Sequence, residues 1–317
     1  MTRDTFLVTF RGVDAATSSD RAPDAPGALS YRTVLGDLAA LTKPGITRLV
    51  VFTTAAGYLM AAGGDAEFFR VLNTVIGAAL AASGANALNM WWERDSDAMM
   101  ARTRRRPIPA GRVPARQALT FAIALSALGL LHLGVFVNIP TLLLVTISLV
   151  TYVLVYTPLK RRTHHATLVG ALPGSLPALA GWTAAGEPVG AAALAITGIV
   201  FFWQMPHFYA LAWVYREDYG SGGLRMLSVI DPQGTRIGLE SFLYSVALLA
   251  VSLVPVATGL IGWLYAAGAA PLGLAMVALS LRLWLVRNDQ RAWQLFFGSI
   301  TYLPIILALM LVDRFLL

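Results

Sequence analysis

The sequence predicts an all-α, polytopic membrane protein with about nine transmembrane helices in one bundle. Of the 317 residues, 57% are hydrophobic and only 13% are charged, whereas soluble domains carry roughly 25% charged residues. Apolar segments long enough to cross a bilayer recur along most of the chain, and basic residues concentrate in alternate connections between them. No connection is long enough to hold a soluble domain.

The candidate spans can be placed by length, since a transmembrane helix needs about 20 mainly apolar residues. Several contain Gly or Pro, which membrane helices tolerate where neighbouring groups satisfy the freed backbone. The candidate spans are residues 45–62, 71–92, 117–137, 140–158, 168–184, 190–214, 239–260, 263–286 and 294–313.

The distribution of basic residues predicts the orientation. Most Arg and Lys residues lie in alternate connections, whereas the opposite side holds Arg70 and Arg314. The basic connections are residues 93–116, 159–167, 215–238 and 287–293. Positive charge favours the cytoplasmic side, so we expect these connections and the N-terminus in the cytoplasm, at a cell inner membrane. The net charge of +7 then reflects this bias and anionic lipid headgroups, and not nucleic-acid binding.

The chain divides into two regions at about residue 40. Residues 1–40 include a stretch rich in Asp, Ser, Ala and Pro without an apolar period, which predicts a flexible cytoplasmic tail. Residues 41–317 form the transmembrane domain. The sequence has no Cys, which excludes disulfides, thiolate metal sites and cysteine nucleophiles.

The most informative segment lies at the end of the second candidate span. If that helix continues, Asn89, Glu93 and Asp97 stand at i, i+4 and i+8 on one face, whereas Asp95 points elsewhere. These oxygen-bearing side chains would repel one another unless a cation lies between them, and hard oxygen ligands favour Mg²⁺ or Mn²⁺. Acids buried in a membrane helix are usually functional, so we interpret this stripe as a metal site.

A cluster of basic residues follows this stripe: Arg102, Arg104, Arg105 and Arg106. Guanidinium groups match phosphate geometry, so metal-holding acids followed by this cluster predict a polyphosphate site. The alternative is that the cluster only marks the cytoplasmic side and pairs with the acids. Lys160 and Arg161, at another helix end, have the same two interpretations: diphosphate binding or membrane anchoring.

A second constellation lies inside the apolar segment 190–214. His207 follows Pro206, which frees a backbone carbonyl and widens the local turn, and a membrane-embedded His is costly unless it is partnered. A metal or heme ligand, a general base and a structural histidine all remain open interpretations. Glu217 and Asp218 follow at the cytoplasmic end and could hold a second metal ion.

Aromatic residues flank these motifs. They could shield a carbocation by cation–π contact, stack on a flat ring, or form the ordinary aromatic belt of a membrane protein. They are Trp91, Trp92, Tyr152, Tyr156, Trp203, Phe208, Tyr209 and Trp213.

Together, these motifs resemble those of a known family. Asn89-x-x-x-Glu93-x-Asp95-x-Asp97, with the Arg102–Gly111 segment after it, resembles the first motif of the UbiA superfamily of intramembrane prenyltransferases. The finer pattern is similar to one branch, the protoheme IX farnesyltransferases or heme O synthases. The pieces that carry this similarity are Leu41–Pro44, Tyr156–Thr163, Pro173–Trp182, Trp203–Phe208 and Asp218-Tyr219.

The resemblance implies nine helices around a central cavity and transfer of a farnesyl group from farnesyl diphosphate to a vinyl group of heme B. The product would be heme O for terminal oxidases, and a heme-processing enzyme or an oxidase assembly factor would be the implied protein partner. The implied Mg²⁺ ligands and catalytic residues are Asn89, Glu93, Asp97 and Asp218, with Glu217 beside them. The implied substrate contacts are Lys43, Arg102, Arg105, Arg106, Lys160, Arg161, Trp203 and His207.

Three positions depart from the family pattern. Glu93 stands where the superfamily has Asp, which lengthens the reach to a metal. Gly222 stands four residues after Asp218, where many members have a second Asp. Ala166 stands where the branch usually carries Asn.

Two other functions share some of these features. A sister enzyme that prenylates an aromatic acid or a quinone precursor has the same first motif, and the Trp203–Phe208 segment favours the heme branch over it. A transporter of an anionic lipid or polyphosphate would show inverted repeats and polar groups at the bilayer midplane. Here the acids lie at helix ends on one side, which favours an enzyme.

Overall fold

The structure, a computed structural model, describes residues 31–316 and is helical throughout its regular elements. Within these residues there are thirteen α-helices, and one 3₁₀ turn (Gly63–Asp65) follows the second. The helices are α1 (Tyr31–Leu41), α2 (Pro44–Ala62), α3 (Phe68–Met99), α4 (Ala115–Phe136), α5 (Ile139–Val150), α6 (Thr157–Leu159), α7 (Ala166–Ala184), α8 (Ala191–Val214), α9 (Arg216–Ser221), α10 (Leu227–Ile230), α11 (Thr235–Ala257), α12 (Trp263–Val286) and α13 (Asp289–Leu316). A π-helical segment, Thr151–Tyr156, joins α5 to α6.

The membrane-spanning segments agree with the predicted fold class. Within residues 31–316, eight helical segments are long and apolar enough to cross a bilayer, counting α5, the π-helical segment and α6 as one segment, Ile139–Leu159. The 19-residue α7 is a ninth long helix, and it contains Pro173 and Pro177. All nine predicted spans therefore correspond to long helical segments, and the prediction of about nine is confirmed.

Helix packing explains how the bundle closes around its interior. Helix α7 packs against α2, α5 and α8, while α8 also packs against α11 and α13. The α2–α7 crossing is close because a Cβ on Gly181 would lie 1.9 Å from the Thr54 carbonyl oxygen, and one on Gly57 would lie 2.0 Å from that of Ala178. Lipid tails supply little force between apolar helices, so close backbone contact at small residues is the main source of association.

Helix α3 is the longest element, at 32 residues, and it does not stop at the edge of its apolar part. It continues through Trp91 and Trp92 to Met99. The condition set for the acidic stripe, a helix unbroken from Asn89 to Asp97, is therefore met.

The predicted N-terminal tail lies mostly outside the described residues, since residues 1–30 are not among them. Residues 31–40 of the predicted tail belong to helix α1, which ends at Leu41. The helix forms because apolar residues already recur at helical spacing in this segment. Helical structure therefore begins before the boundary predicted at about residue 40.

Candidate active site

A cavity of about 440 Å³ lies among α2, α3, the π-helical segment, α7 and α8. One end is charged, and we call the six residues that line it the polar mouth: Lys43, Asn89, Glu93, Asp97, Arg106 and Lys160. The rest of the wall is mainly apolar, with the aromatic residues Tyr152, Tyr156, Trp203, Phe208 and Phe296 among its members.

The acidic stripe of α3 supplies one wall of the polar mouth. Asn89, Glu93 and Asp97 all line the cavity and are at most 8% exposed. Asp95, two residues before Asp97, has a side chain that is 73% exposed. The helical spacing therefore separates these acids as predicted, with one set facing the cavity and Asp95 facing outward.

Each member of the stripe is paired with a basic side chain. Lys43 Nζ donates to Asn89 Oδ1 at 2.6 Å, and Lys160 Nζ donates to Glu93 Oε1 at 2.7 Å. An Arg106 guanidinium nitrogen lies 2.7 Å from Asp97 Oδ2. The candidate metal ligands and the candidate phosphate ligands thus come from distant parts of the chain and meet in one layer.

The two lysines of the polar mouth differ in protonation. Burial, together with the positive charge of Arg106, lowers the pKa of Lys43 to about 7. Burial also opposes the charged form of Lys160, but the neighbouring Glu93 carboxylate outweighs it and raises the pKa of Lys160 above its ordinary value. Lys160 therefore stays charged at neutral pH, whereas Lys43 titrates near it.

The backbone at Lys43 has an unusual conformation. Its φ of 47° lies in the left-handed region, which costs a non-glycine residue of the order of 1–3 kcal/mol. This conformation turns the chain sharply between α1 and α2, immediately before Pro44, and places Lys43 Nζ against Asn89. Strain of this kind persists where the surrounding structure holds the residue in place.

The polar mouth fits a hard divalent cation. Asp97 Oδ1 is buried and has no hydrogen-bond partner among the described residues, although such atoms are normally satisfied. No group of three or more His, Cys, Asp or Glu residues in the described part of the chain could hold a metal ion. Two carboxylates and one amide are nevertheless what Mg²⁺ uses when substrate phosphates complete its shell.

The second predicted metal position lies outside the cavity. Asp218 Oδ1 accepts the backbone N–H of Ala101 at 3.0 Å, and Glu217 is exposed. Neither belongs to the cavity lining among the described residues. Asp218 thus fixes the turn that carries Arg102, and its role as a metal ligand stays a prediction.

The predicted phosphate ligands separate into two groups. Arg102 lines the cavity and its guanidinium lies 4.3 Å from the Tyr215 ring centre and 5.5 Å from that of Tyr219. Arg105 is exposed and outside the lining. Arg161 is also outside it, and its Nε donates to Ser96 Oγ at 3.1 Å. In the structure, Arg161 therefore ties the loop before α7 to α3.

The π-helical segment brings two tyrosines to the cavity. Tyr152 and Tyr156 stack with ring centres 5.4 Å apart, and Lys160 Nζ lies 4.4 Å from the Tyr156 ring centre. A π-helical turn is rare and often marks a functional site. Of the eight aromatic residues singled out from the sequence, the cavity lining includes Tyr152, Tyr156, Trp203 and Phe208.

His207 lines the same cavity, deeper in α8. Its ring stacks with those of Trp203 and Phe296, whose ring centres are 5.1 Å and 4.9 Å away. Its Nδ1 is 2.8 Å from Ser299 Oγ. The structure therefore brings the predicted pair Trp203 and His207 together with the polar mouth in one cavity.

Sequence reasoning missed several residues that shape the site. Thr157 Oγ1 accepts the amide N–H of Asn89 at 3.0 Å, and Ser299 holds both His207 and Trp203 from α13. Gln204 lies next to the predicted Trp203 and donates to the carbonyls of Ala171 and Val200. The position of Gln204 in an apolar span was the available signal, whereas Ser299 offered none.

The comparisons with known proteins agree with this geometry. A family model described as the UbiA prenyltransferase family matches residues 50–301. The chain belongs to the UbiA prenyltransferase family. It is therefore a multi-pass membrane prenyltransferase, and the predicted family and enzyme class are confirmed.

Two relatives match nearly the whole chain, and both are named protoheme IX farnesyltransferase. The relative from Solibacter usitatus (strain Ellin6076) is 41% identical over 287 residues, which covers 88% of this chain and 98% of the relative. That from Salinibacter ruber (strain DSM 13855 / M31) is 41% identical over 283 residues, covering 89% and 100%.

Solved structures support the fold. A structure solved in a study of digeranylgeranylglyceryl phosphate synthase matches this chain with a TM-score of 0.76 at 16% sequence identity. The match covers 89% of this chain and 99% of that one. A UbiA homolog from Archaeoglobus fulgidus bound to GPP and Mg²⁺ gives a TM-score of 0.61 at 16% identity, covering 86% and 99%. At this identity the likeness establishes the UbiA fold.

Proposed function

We propose that this prenyltransferase moves the farnesyl group of farnesyl diphosphate to a vinyl group of heme B, with release of diphosphate. Water then adds to the cation left on the former vinyl group and loses a proton, which gives the hydroxyl of heme O. The observation that carries the proposal is the 41% identity, over almost the entire chain, to relatives named protoheme IX farnesyltransferase. The cavity supports it because a charged mouth opens into an apolar interior lined by aromatic rings.

The polar mouth is suited to a metal-bound diphosphate. Glu93, Asp97 and Asn89 would hold Mg²⁺, which supplies Lewis-acid stabilisation of the diphosphate charge when bound. The Mg²⁺ and GPP in the Archaeoglobus fulgidus homolog support this assignment. Lys43, Lys160 and Arg106 would exchange their present partners for phosphate oxygens, and Arg102 would approach from the adjoining turn.

The chemistry demanded of these residues is charge stabilisation. As the allylic C–O bond breaks, negative charge grows on the diphosphate, and cationic groups held in place stabilise that charge more than they stabilise the bound substrate. The apolar walls exclude water, which strengthens these interactions and protects the allyl cation. The rings of Tyr152 and Tyr156 would face this cation.

The membrane and the orientation belong to the same proposal. The polar mouth lies at the helix ends that carry the Arg-rich connections, such as Arg102–Arg106 and Lys160–Arg162. Positive connections favour the cytoplasm, so we place the polar mouth and the N-terminus on the cytoplasmic side of a cell inner membrane. Farnesyl diphosphate would then enter from the cytosol, and heme B from the bilayer.

A reconstituted assay tests this function. The purified protein in lipid nanodiscs is given labelled farnesyl diphosphate, Mg²⁺ and heme B, and the porphyrin products are identified by mass. We expect farnesylated heme from the complete mixture and none when Mg²⁺ is chelated. An aromatic acid and a quinone precursor serve as competing acceptors. Label transferred only to one of these acceptors would overturn the heme assignment while keeping the prenyltransferase class.

A further inference from the structure

The His207 ring is fixed in the cavity wall by three neighbours. The rings of Trp203 and Phe296 both stack with it, with interplanar angles of 22° and 25°. Ser299 Oγ lies 2.8 Å from Nδ1, and Trp203 Nε1 donates to the Ser299 carbonyl at 2.6 Å. The ring therefore has one well-defined orientation.

The hydrogen bonds of Ser299 determine which nitrogen of His207 carries the proton. Ser299 Oγ donates to the Phe296 carbonyl at 2.6 Å, and a hydroxyl has one proton to donate. Toward His207 the hydroxyl must therefore accept, so Nδ1 is the donor. Because a neutral imidazole has one N–H, Nε2 carries a free electron pair.

The edge of the ring that bears Nε2 is the part left to face the cavity. His207 lines the cavity, two aromatic rings stack with it and its Nδ1 is engaged by Ser299. In the described residues, Nε2 has no hydrogen-bond partner. His207 lies seven residues before the end of α8, or roughly 10 Å at 1.5 Å per residue. Inside an apolar span few polar groups are near such an atom, so Nε2 is available to a group that enters the cavity.

We propose that Nε2 of His207 is an axial ligand to heme iron and fixes the macrocycle below the polar mouth. A metal-ligating His usually donates its other ring N–H to an acceptor, which sets the tautomer and increases the basicity of the ligating nitrogen. Ser299 meets that requirement. This inference rests on the proposed function, because heme B is the acceptor there.

The surroundings of His207 favour heme iron over a metal ion bound only by protein. Among the described residues, His207 is the only histidine in the cavity lining, and no group of three or more His, Cys, Asp or Glu residues could hold a metal ion. A single imidazole cannot build a zinc or iron site, which needs three or four ligands. Heme iron already has four nitrogen ligands from the porphyrin, so one His suffices.

Spectroscopy of heme bound to the full-length protein in nanodiscs tests the assignment. Heme B is titrated into wild type, His207→Gly and His207→Gln, and the absorption and resonance Raman spectra are recorded in both iron oxidation states. We expect a histidine-ligated spectrum in wild type, its loss in both variants, and its recovery in His207→Gly on adding imidazole. His165→Gln changes an exposed histidine and should leave the wild-type spectrum.

A substitution at Ser299 tests whether the hydrogen bond from Nδ1 of His207 supports iron ligation by Nε2. Nonspecific heme binding would not depend on that hydrogen bond. Ser299→Ala removes the acceptor of the Nδ1 proton, so we expect a lower iron–histidine vibrational frequency and a loss of heme affinity of about tenfold. A histidine-ligated spectrum that persists in both His207 variants overturns the proposal, as does failure of imidazole to restore it.

The outcomes for ligation and for function can be told apart. If wild type forms heme O but the heme spectra of the His207 variants equal that of wild type, the ligand assignment is overturned and the proposed function stands. A His207-dependent spectrum without any farnesylated heme from wild type would instead overturn the proposed function, because heme would then bind without being the acceptor.

Discussion

The ammonium nitrogen of Lys160 lies 2.7 Å from Oε1 of Glu93, and the two side chains are 13% and 11% exposed. This ion pair joins the end of α3 to the turn after α6, across 67 residues of sequence. Removing one partner of a buried pair is strongly unfavourable because the other charge is left without compensation. The pair also makes a proposed phosphate ligand compete with a metal ion for the same carboxylate.

Replacing Lys160 with Met should therefore have two opposite effects. Turnover of farnesyl diphosphate should fall by about 10²- to 10³-fold, the usual cost of losing one charge-stabilising donor. The Mg²⁺ concentration for half-maximal activity should fall, because Glu93 no longer shares its charge with an ammonium group. Activity measured across a Mg²⁺ titration checks both effects.

Arg162 provides the control for that experiment, since it is exposed and outside the cavity lining. Arg162→Met should change neither the turnover nor the Mg²⁺ requirement by more than about twofold, as expected for an exposed charge. An unchanged Mg²⁺ requirement in Lys160→Met would show that the two groups do not compete.

Arg102 and Arg104 should differ although they are two residues apart. Both are exposed, but Arg102 lines the cavity and is held over Tyr215, whereas Arg104 is outside the lining. Arg102→Ala should raise the KM for farnesyl diphosphate by about 10- to 100-fold, since a hydrogen bond to a charged group contributes roughly 1.5–3 kcal/mol. Arg104→Ala should leave KM near the wild-type value, and equal effects of the two changes would remove the specific role of Arg102.

The α2–α7 crossing should not accept a methyl group. A Cβ on Gly181 would lie 1.9 Å from the Thr54 carbonyl oxygen, so Gly181→Ala should destabilise the fold by about 1–3 kcal/mol or more. The midpoint of thermal unfolding in detergent measures this. Gly45→Ala, where nothing lies within 4 Å, should not lower the midpoint. Equal midpoints for both variants would contradict the close crossing.

The sequence was informative where local periodicity determines the geometry. Helical spacing placed Asn89, Glu93 and Asp97 on one face and Asp95 on another, and hydropathy placed the spans. Both patterns depend on residues close together along the chain, so neither requires knowledge of the tertiary packing.

Contacts between distant segments could not be predicted in this way. Ser299 lies 92 residues from His207 in the sequence. A serine in an apolar helix does not indicate which residue its hydroxyl will contact. The pairing of Arg161 with Ser96, and the placement of Asp218 against Ala101, likewise depend on how the connections pack. The sequence indicated the charges of the polar mouth but not which cation pairs with which acid.

The central claim is that buried acids of α3 hold the metal for prenyl transfer, and a matched pair of variants tests it most directly. Asp97 is 1% exposed, while the side chain of Asp95 is 73% exposed. Mg²⁺-dependent transfer of labelled farnesyl to heme B is measured for Asp97→Asn and Asp95→Asn in nanodiscs, with equal folded protein. We predict loss of transfer in Asp97→Asn and wild-type transfer in Asp95→Asn, and near-normal transfer by Asp97→Asn would contradict the account.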